Sequence, residues 1–136
     1  MITQKNVNEI SYKVIGCAME VHKQLGVGLL ESIYEAAMLE ELTAQNLKVA
    51  TQMQVPVHYK GKLLEPKLRL DMLVEDLIIL ELKAIDLLIP IHQAQLLSYL
   101  KMAQKPKGLL INFNTMLLKN QIISLVTDTY AKLPTG

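Results

Sequence analysis

The hydrophobic period of this chain changes once, near Ala50, and no other feature constrains the fold as much. Upstream, Val7, Ile10, Val14, Cys17 with Ala18, Val21 and Leu25 recur at steps of three and four residues, the mark of an amphipathic helix. Gly26-Val27-Gly28 ends that helix, because glycine takes the left-handed geometry that closes one. A second helix is predicted from about Leu29 to about Gln45. Downstream the period is two: Met53, Val55, Val57 and Tyr59 alternate with Gln52, Gln54, Pro56 and His58, as in a half-buried strand, with Pro56 marking an edge or a bulge. Lys60-Gly61 signals a turn. Strands are then predicted over about Lys67 to Val74 and Leu77 to Ala84, joined as a hairpin through Glu75-Asp76. Pro90 suits the first turn of a third helix running to about Ala103. Gly108 to Phe113 is nearly all apolar, as a central strand covered on both faces would be, and Gln121 to Val126 is one more short strand. The expected order is α-α-β-β-β-α-β-β, an α/β (α+β) arrangement in which helices flank a central mixed sheet of four to five strands. With no linker, repeat or low-complexity stretch, residues 1–136 are expected to form one domain.

Composition narrows the setting. Hydrophobic residues make up 51% and charged residues 20%, as in an ordinary globular protein. The longest apolar runs, Leu77 to Leu80 and Leu87 to Ile91, fall far short of the roughly 20 residues that span a bilayer, so no membrane is expected. The polar start, Met1 to Asn6, is unlike a secretory signal. Cys17 is the only cysteine, which rules out an internal disulfide and points to a reducing cytoplasm; its apolar neighbours make it a packing residue rather than a catalytic thiol. Fourteen Lys and Arg nearly balance thirteen Asp and Glu, for a net charge of +1. That balance argues against a tight non-specific nucleic-acid binder, but acids gathered at a metal site would offset basic residues elsewhere.

The stretch from Arg69 to Lys83 carries the candidate chemistry. Side chains alternate along a strand, so Glu81 and Lys83 share one face, as do Arg69 and Asp71, while Leu70, Met72 and Val74 share the other. Asp71 and Glu81 converge only if the hairpin pairs them, which needs a three- or five-residue loop or a bulge. A tight two-residue turn at Glu75-Asp76 would set them on opposite faces. Converged, two carboxylates repel unless a cation lies between them, and hard oxygen donors suit Mg²⁺ or Mn²⁺. Such an ion lowers the pKa of water and polarises a phosphoryl oxygen, and a neighbouring lysine can offset charge growing on phosphate. Read alone, Glu-x-Lys on a strand is usually a solvated face; the upstream Asp71 and the apolar runs on either side set this one apart. On the third helix, His92, Gln95 and Tyr99 form a polar stripe that either contacts substrate or is simply an exposed face. On the second helix, Glu31 and Glu35 lie one turn apart. Glu31 is either a further oxygen donor or an acid favoured near a helix N-terminus.

Gly28-Leu29-Leu30-Glu31-Ser32-Ile33-Tyr34 resembles the motif that names the GxxExxY protein family. The likeness continues through Arg69 to Asp76, Glu81 to Ala84, Gln95 to Leu100 and Gly108 to Phe113, covering roughly Asn8 to Val126. That family is placed in the PD-(D/E)XK nuclease superfamily, and Gln95 to Tyr99 is similar to the Q-x-x-x-Y motif of its RecB-like members. The resemblance implies a restriction-endonuclease-like core and a Mg²⁺-dependent (or Mn²⁺-dependent) nuclease. Asp71 and Glu81 would be metal ligands and Lys83 the catalytic lysine, with Glu31 a helix-borne acid completing the site and Gln95, Tyr99 and Tyr34 lining or supporting it. His22, just before the glycine loop, would approach the metal or serve packing. Leu70 stands where the superfamily's name has proline. Nucleic acid is the implied partner, and a homodimer would suit the cutting of two strands. The alternative is a catalytically silent nuclease fold that binds nucleic acid or a protein partner; a third reading is a structural homo-oligomer.

Overall fold

The computed structural model describes residues 1–136. Thr3 opens the first helix by reciprocal capping: its hydroxyl accepts the Asn6 N–H at 3.1 Å while the Asn6 side chain accepts the Thr3 N–H at 2.9 Å. Helix α1 (Gln4–Leu25) turns Val7, Val14, Cys17, Ala18 and Val21 inward and ends at Gly26, with φ of 70°. Helix α2 (Glu31–Ala44) buries Tyr34, Met38 and Leu42 beside it. Burial of Cys17, and then nearby Glu41, push its thiol pKa up, in keeping with a packing role. No helix is long and apolar enough to cross a membrane.

Strands β1 (Val49–Val55), β4 (Leu68–Val74), β5 (Ile78–Lys83), β6 (Lys107–Asn112) and β7 (Ile122–Val126) form one mixed sheet in the order β1-β4-β5-β6-β7. Between β1 and β4 the chain makes a separate two-stranded ribbon, β2 (His58–Tyr59) with β3 (Lys62–Leu63). All neighbours in the large sheet are antiparallel except β5 and β6, which run parallel and are joined through α3 (Pro90–Ala103). A 3₁₀ turn (Leu118–Gln121) leads into β7, and a short helix α4 (Asp128–Ala131) follows it. This is the predicted order of major elements.

The sheet separates two clusters. Met72, Val74, Ile78, Leu80, Leu82, Leu109 and Ile111 pack with α1 and α2 on one side. Leu73, Ile79 and Leu110 pack with Leu96 and Leu100 of α3 on the other. Close approach of α3 depends on Gly108, where an added Cβ would sit 2.8 Å from Leu96 Cδ1 and 3.0 Å from Leu100 Cδ1.

Two expectations are corrected. The alternation from Met53 to Tyr59 does not bury a strand face: only Val55 is buried, and Met53 and Tyr59 are exposed. The chain breaks at Pro56, and the residues from His58 to Lys67 are exposed. Leu70 does not share a face with Met72 and Val74; it joins Leu73 in the α3-side cluster. The alternation fails at Asp71, where the β4–β5 ladder has already stopped at Met72–Leu80. Across on β1, Gln52 takes a left-handed φ of 52°.

Candidate active site

Register decides whether the acids meet. β4 and β5 pair Met72 with Leu80, Leu73 with Ile79 and Val74 with Ile78. This leaves a three-residue loop, Glu75-Asp76-Leu77, closed by the Leu77 N–H donating to the Val74 carbonyl at 3.0 Å. Glu75 and Asp76 accept left-handed φ values of 52° and 58° to make the turn. One step past the last rung, the side chain of Asp71 stands in for a backbone acceptor: its Oδ2 takes the Leu82 N–H at 3.0 Å. Asp71 is thereby held beside Glu81, and the odd-numbered loop is the condition under which the two were expected to converge.

Glu31, Asp71, Glu81 and Lys83 line one cleft of about 370 Å³ with Lys67, Arg69, His92, Gln95 and Tyr99. Glu81 is the buried member, only 7% exposed. Burial first, and then the adjacent Asp71 carboxyl, push its pKa from 4.5 up to about 9, against the opposing pull of Lys83. Lys83 makes no ion pair within 4.0 Å, the only such pair in the molecule being Lys105 with Asp76 at 2.8 Å. Glu31 opens α2 at the rim. Crowding by protein raises its pKa, as do Asp71 and Glu35, while Lys83 and the Ala84 amide lower it. The Tyr99 phenol is pushed up by burial and then by Glu81 and Asp71. His92 Nδ1 accepts the Ile89 N–H at 3.0 Å, so in the neutral ring the proton sits on Nε2.

Two predicted site residues lie outside the cleft. Tyr34 is fully buried, its ring stacked on Phe113 at 4.6 Å between centroids. Its hydroxyl donates to the Gly26 carbonyl at 2.7 Å and accepts the Leu29 N–H at 3.3 Å. It therefore pins the loop that presents Glu31, while Gly28, at φ 89°, supplies the turn between them. His22 bonds the Thr115 carbonyl at 2.7 Å and ties the end of α1 to the segment after β6.

Sequence reasoning passed over two contributors. Lys67 lines the cleft although nothing in its local pattern marked it. Asn112 is fully buried at the end of β6, level with Lys83. Its Oδ1 accepts the Ile85 N–H at 3.0 Å and its Nδ2 donates to the Ile85 carbonyl at 2.9 Å, which fixes the chain just beyond Lys83. A lone amide ending an apolar strand was the available signal, since a buried polar group must be paired.

The donor chemistry fits a hard divalent cation. An acid that keeps its proton while no cation is near, facing a second carboxyl, is a group whose ionisation a cation would stabilise. No three His, Cys, Asp or Glu side chains gather closely enough to hold an ion by themselves. A site resting on two carboxylates, with water and phosphate completing the shell, is a common arrangement for Mg²⁺.

A family model of the PD-(D/E)XK nuclease superfamily matches residues 8–125. The chain belongs to that superfamily, and its five-stranded mixed sheet flanked by helices is consistent with a restriction-endonuclease-like fold. Among solved structures, the crystal structure of SSO0001 is similar at 21% identity and a TM-score of 0.49, over 70% of this chain and 48% of that one. The chain thus spans about half the length of that protein. No curated protein matches it.

Proposed function

We propose that this chain is a divalent-metal-dependent nuclease that hydrolyses phosphodiester bonds at the Asp71–Glu81–Lys83 cleft. The observation that carries the reading is Glu81, buried on the sheet face, with its proton affinity raised beside Asp71 and with Lys83 next along the same face. A carboxyl buried in a cleft beside a second acid and a lysine, with its pKa raised, is the kind of group that active sites hold. Asp71 and Glu81 would hold Mg²⁺ or Mn²⁺, which when bound lowers the pKa of water and polarises the phosphoryl group. Lys83 offsets charge growing on the phosphate oxygens. Arg69 and Lys67 bind flanking phosphate, and Gln95, Tyr99 and His92 border the substrate from α3. Glu31 stands at the rim, where it can orient water through its carboxylate. The likeness to GxxExxY and RecB-like sequences supports the same assignment.

The test is Mn²⁺ binding by calorimetry, with Asp71→Ala for comparison, followed by cleavage of labelled DNA and RNA in the same metal. Binding lost in Asp71→Ala and cleavage by the wild type are expected. Metal and nucleic-acid binding without any cleavage would replace this reading with that of a silent nuclease fold.

A further inference from the structure

We infer that the hairpin arm formed by residues 56–67 clamps the phosphate backbone of a nucleic-acid strand leading out of the cleft. The inference rests on the nuclease reading of that cleft and adds to it a binding surface outside the acids and lysine.

Strands β1 and β4 pair as far as Val55 with Leu68, and beyond that rung the chain continues as the β2–β3 ribbon. Pro56-Val57 on one side and Leu64 to Lys67 on the other are unequal in length, so the ribbon is set off from the sheet rather than extending it. Every residue from 58 to 67 is exposed, Tyr59 at 59% and Leu63 at 60%. An exposed ribbon of this kind buries little, and its backbone is held by its own short ladder and the Leu64 N–H to Val57 carbonyl bond at 2.9 Å.

Charge gives the arm its purpose. Lys60, Lys62, Lys67 and Arg69 face a single acid, Glu65, over residues 56–69. That is a net +3 in a chain whose total is +1, leaving the remainder at −2. The near-neutral whole therefore conceals a local basic track, and its inner end, Lys67 and Arg69, is part of the cleft wall. From Lys67 the charge continues outward through Lys62 on β3 to Lys60 at the tip of the ribbon. None of the four cations is neutralised by an ion pair.

The tip is shaped at some cost. Lys60 and Gly61 both have positive φ, 50° and 79°, in a two-residue turn whose first position favours Asn, Asp or Gly. A lysine accepts that strain, and its Nζ lies 5.5 Å from the centroid of the exposed Tyr59 ring. A cation beside an exposed aromatic at the end of a basic track fits a polyanion carrying flat bases. An acidic protein surface would use the charges but not the ring.

Fluorescence anisotropy with a labelled DNA oligonucleotide, and RNA of the same sequence, in Ca²⁺ tests this. The double variant Lys60→Gln/Lys62→Gln should bind about ten-fold more weakly at low salt, and the slope of log affinity against log salt should fall by about two, one for each phosphate that is no longer neutralised. Lys5→Gln/Lys13→Gln, the same charge change on exposed positions of α1, should leave affinity and slope unchanged. Equal behaviour of the two double variants, or an unaltered slope in the arm variant, overturns the inference while leaving the cleft reading intact. A wild type that binds neither oligonucleotide overturns it as well; whether the cleft reading falls with it is decided separately by Mn²⁺ binding and its loss in Asp71→Ala.

Discussion

On the side of the sheet covered by α1 and α2, eighteen buried residues form one cluster; on the side under α3, seven do. The same strands serve both, so the difference lies in the cover. Two helices pack on one face, whereas a single helix, drawn in by Gly108, packs on the other, and the cleft of Asp71, Glu81 and Lys83 opens beside it. Charged groups occupy the part left open. The contrast teaches that β5, with its run of buried residues from Ile78 to Leu82, can carry Glu81 only because that side chain points to the incompletely covered face.

The largest effect should come from the open face. Lys83→Ala is expected to reduce cleavage by about a thousand-fold, the scale on which removal of one transition-state stabiliser acts, with little change in the thermal midpoint. Single-turnover cleavage together with a melting curve checks both; unchanged cleavage removes Lys83 from the mechanism. On the closed face the expectation reverses. Leu80→Ala should cost about 3 kcal/mol through the cavity it leaves, read from urea denaturation, and equal sensitivity of the two faces would erase the comparison.

Glu81 sharpens it through pH. Its folded pKa lies above the unfolded value, so the folded chain holds a proton that the unfolded chain has released. Without added metal, stability should therefore be greatest below about pH 4.5 as far as this group is concerned, and fall as pH rises toward about 9. The slope is at most about 1.4 kcal/mol per pH unit, and Glu81→Gln should remove it. The smallest effect concerns Gln52, whose side chain donates to Glu35 at 2.7 Å across an exposed surface. Because its φ is left-handed, Gln52→Gly should be neutral or stabilising by less than about 1 kcal/mol, whereas Gln52→Val should destabilise; a stabilising valine would show that β1 has no need of its kink.

Much of this fold could be read from the chain alone. Hydrophobic period and turn residues located every major element, but the strand limits read from the pattern left only Glu75-Asp76 between Val74 and Leu77. The meeting of Asp71 and Glu81 was conditional on an odd loop or a bulge, and the loop is odd because Leu77 belongs to it rather than to β5. The β2–β3 arm escaped because a short alternating segment looks the same whether or not a helix covers it; Tyr59 and Met53 are apolar in pattern and exposed in fact. Leu70 escaped because strict alternation presumes an unbroken ladder. Tyr34 and His22 sit beside the candidate acid and the glycine loop in sequence, but their rings turn into structural bonds with Gly26 and Thr115, which only tertiary packing could show.

The parallel pairing of β5 with β6 has a consequence for assembly. The β4–β5 hairpin is local and can close as soon as its loop has formed, but Glu81 is level with Leu110, and that neighbour arrives only after α3 has crossed over. On a chain emerging from the ribosome, the strand bearing Glu81 and Lys83 would stand as an open edge until residue 112 follows. The acid would meanwhile lie beside Asp71 but lack the burial that contributes most to its raised pKa. Pulse-labelled hydrogen exchange during refolding should accordingly protect the Leu82 amide, bonded to Asp71 across the hairpin, before the Ile111 amide of β6, so that Glu81 meets Asp71 early and is covered late.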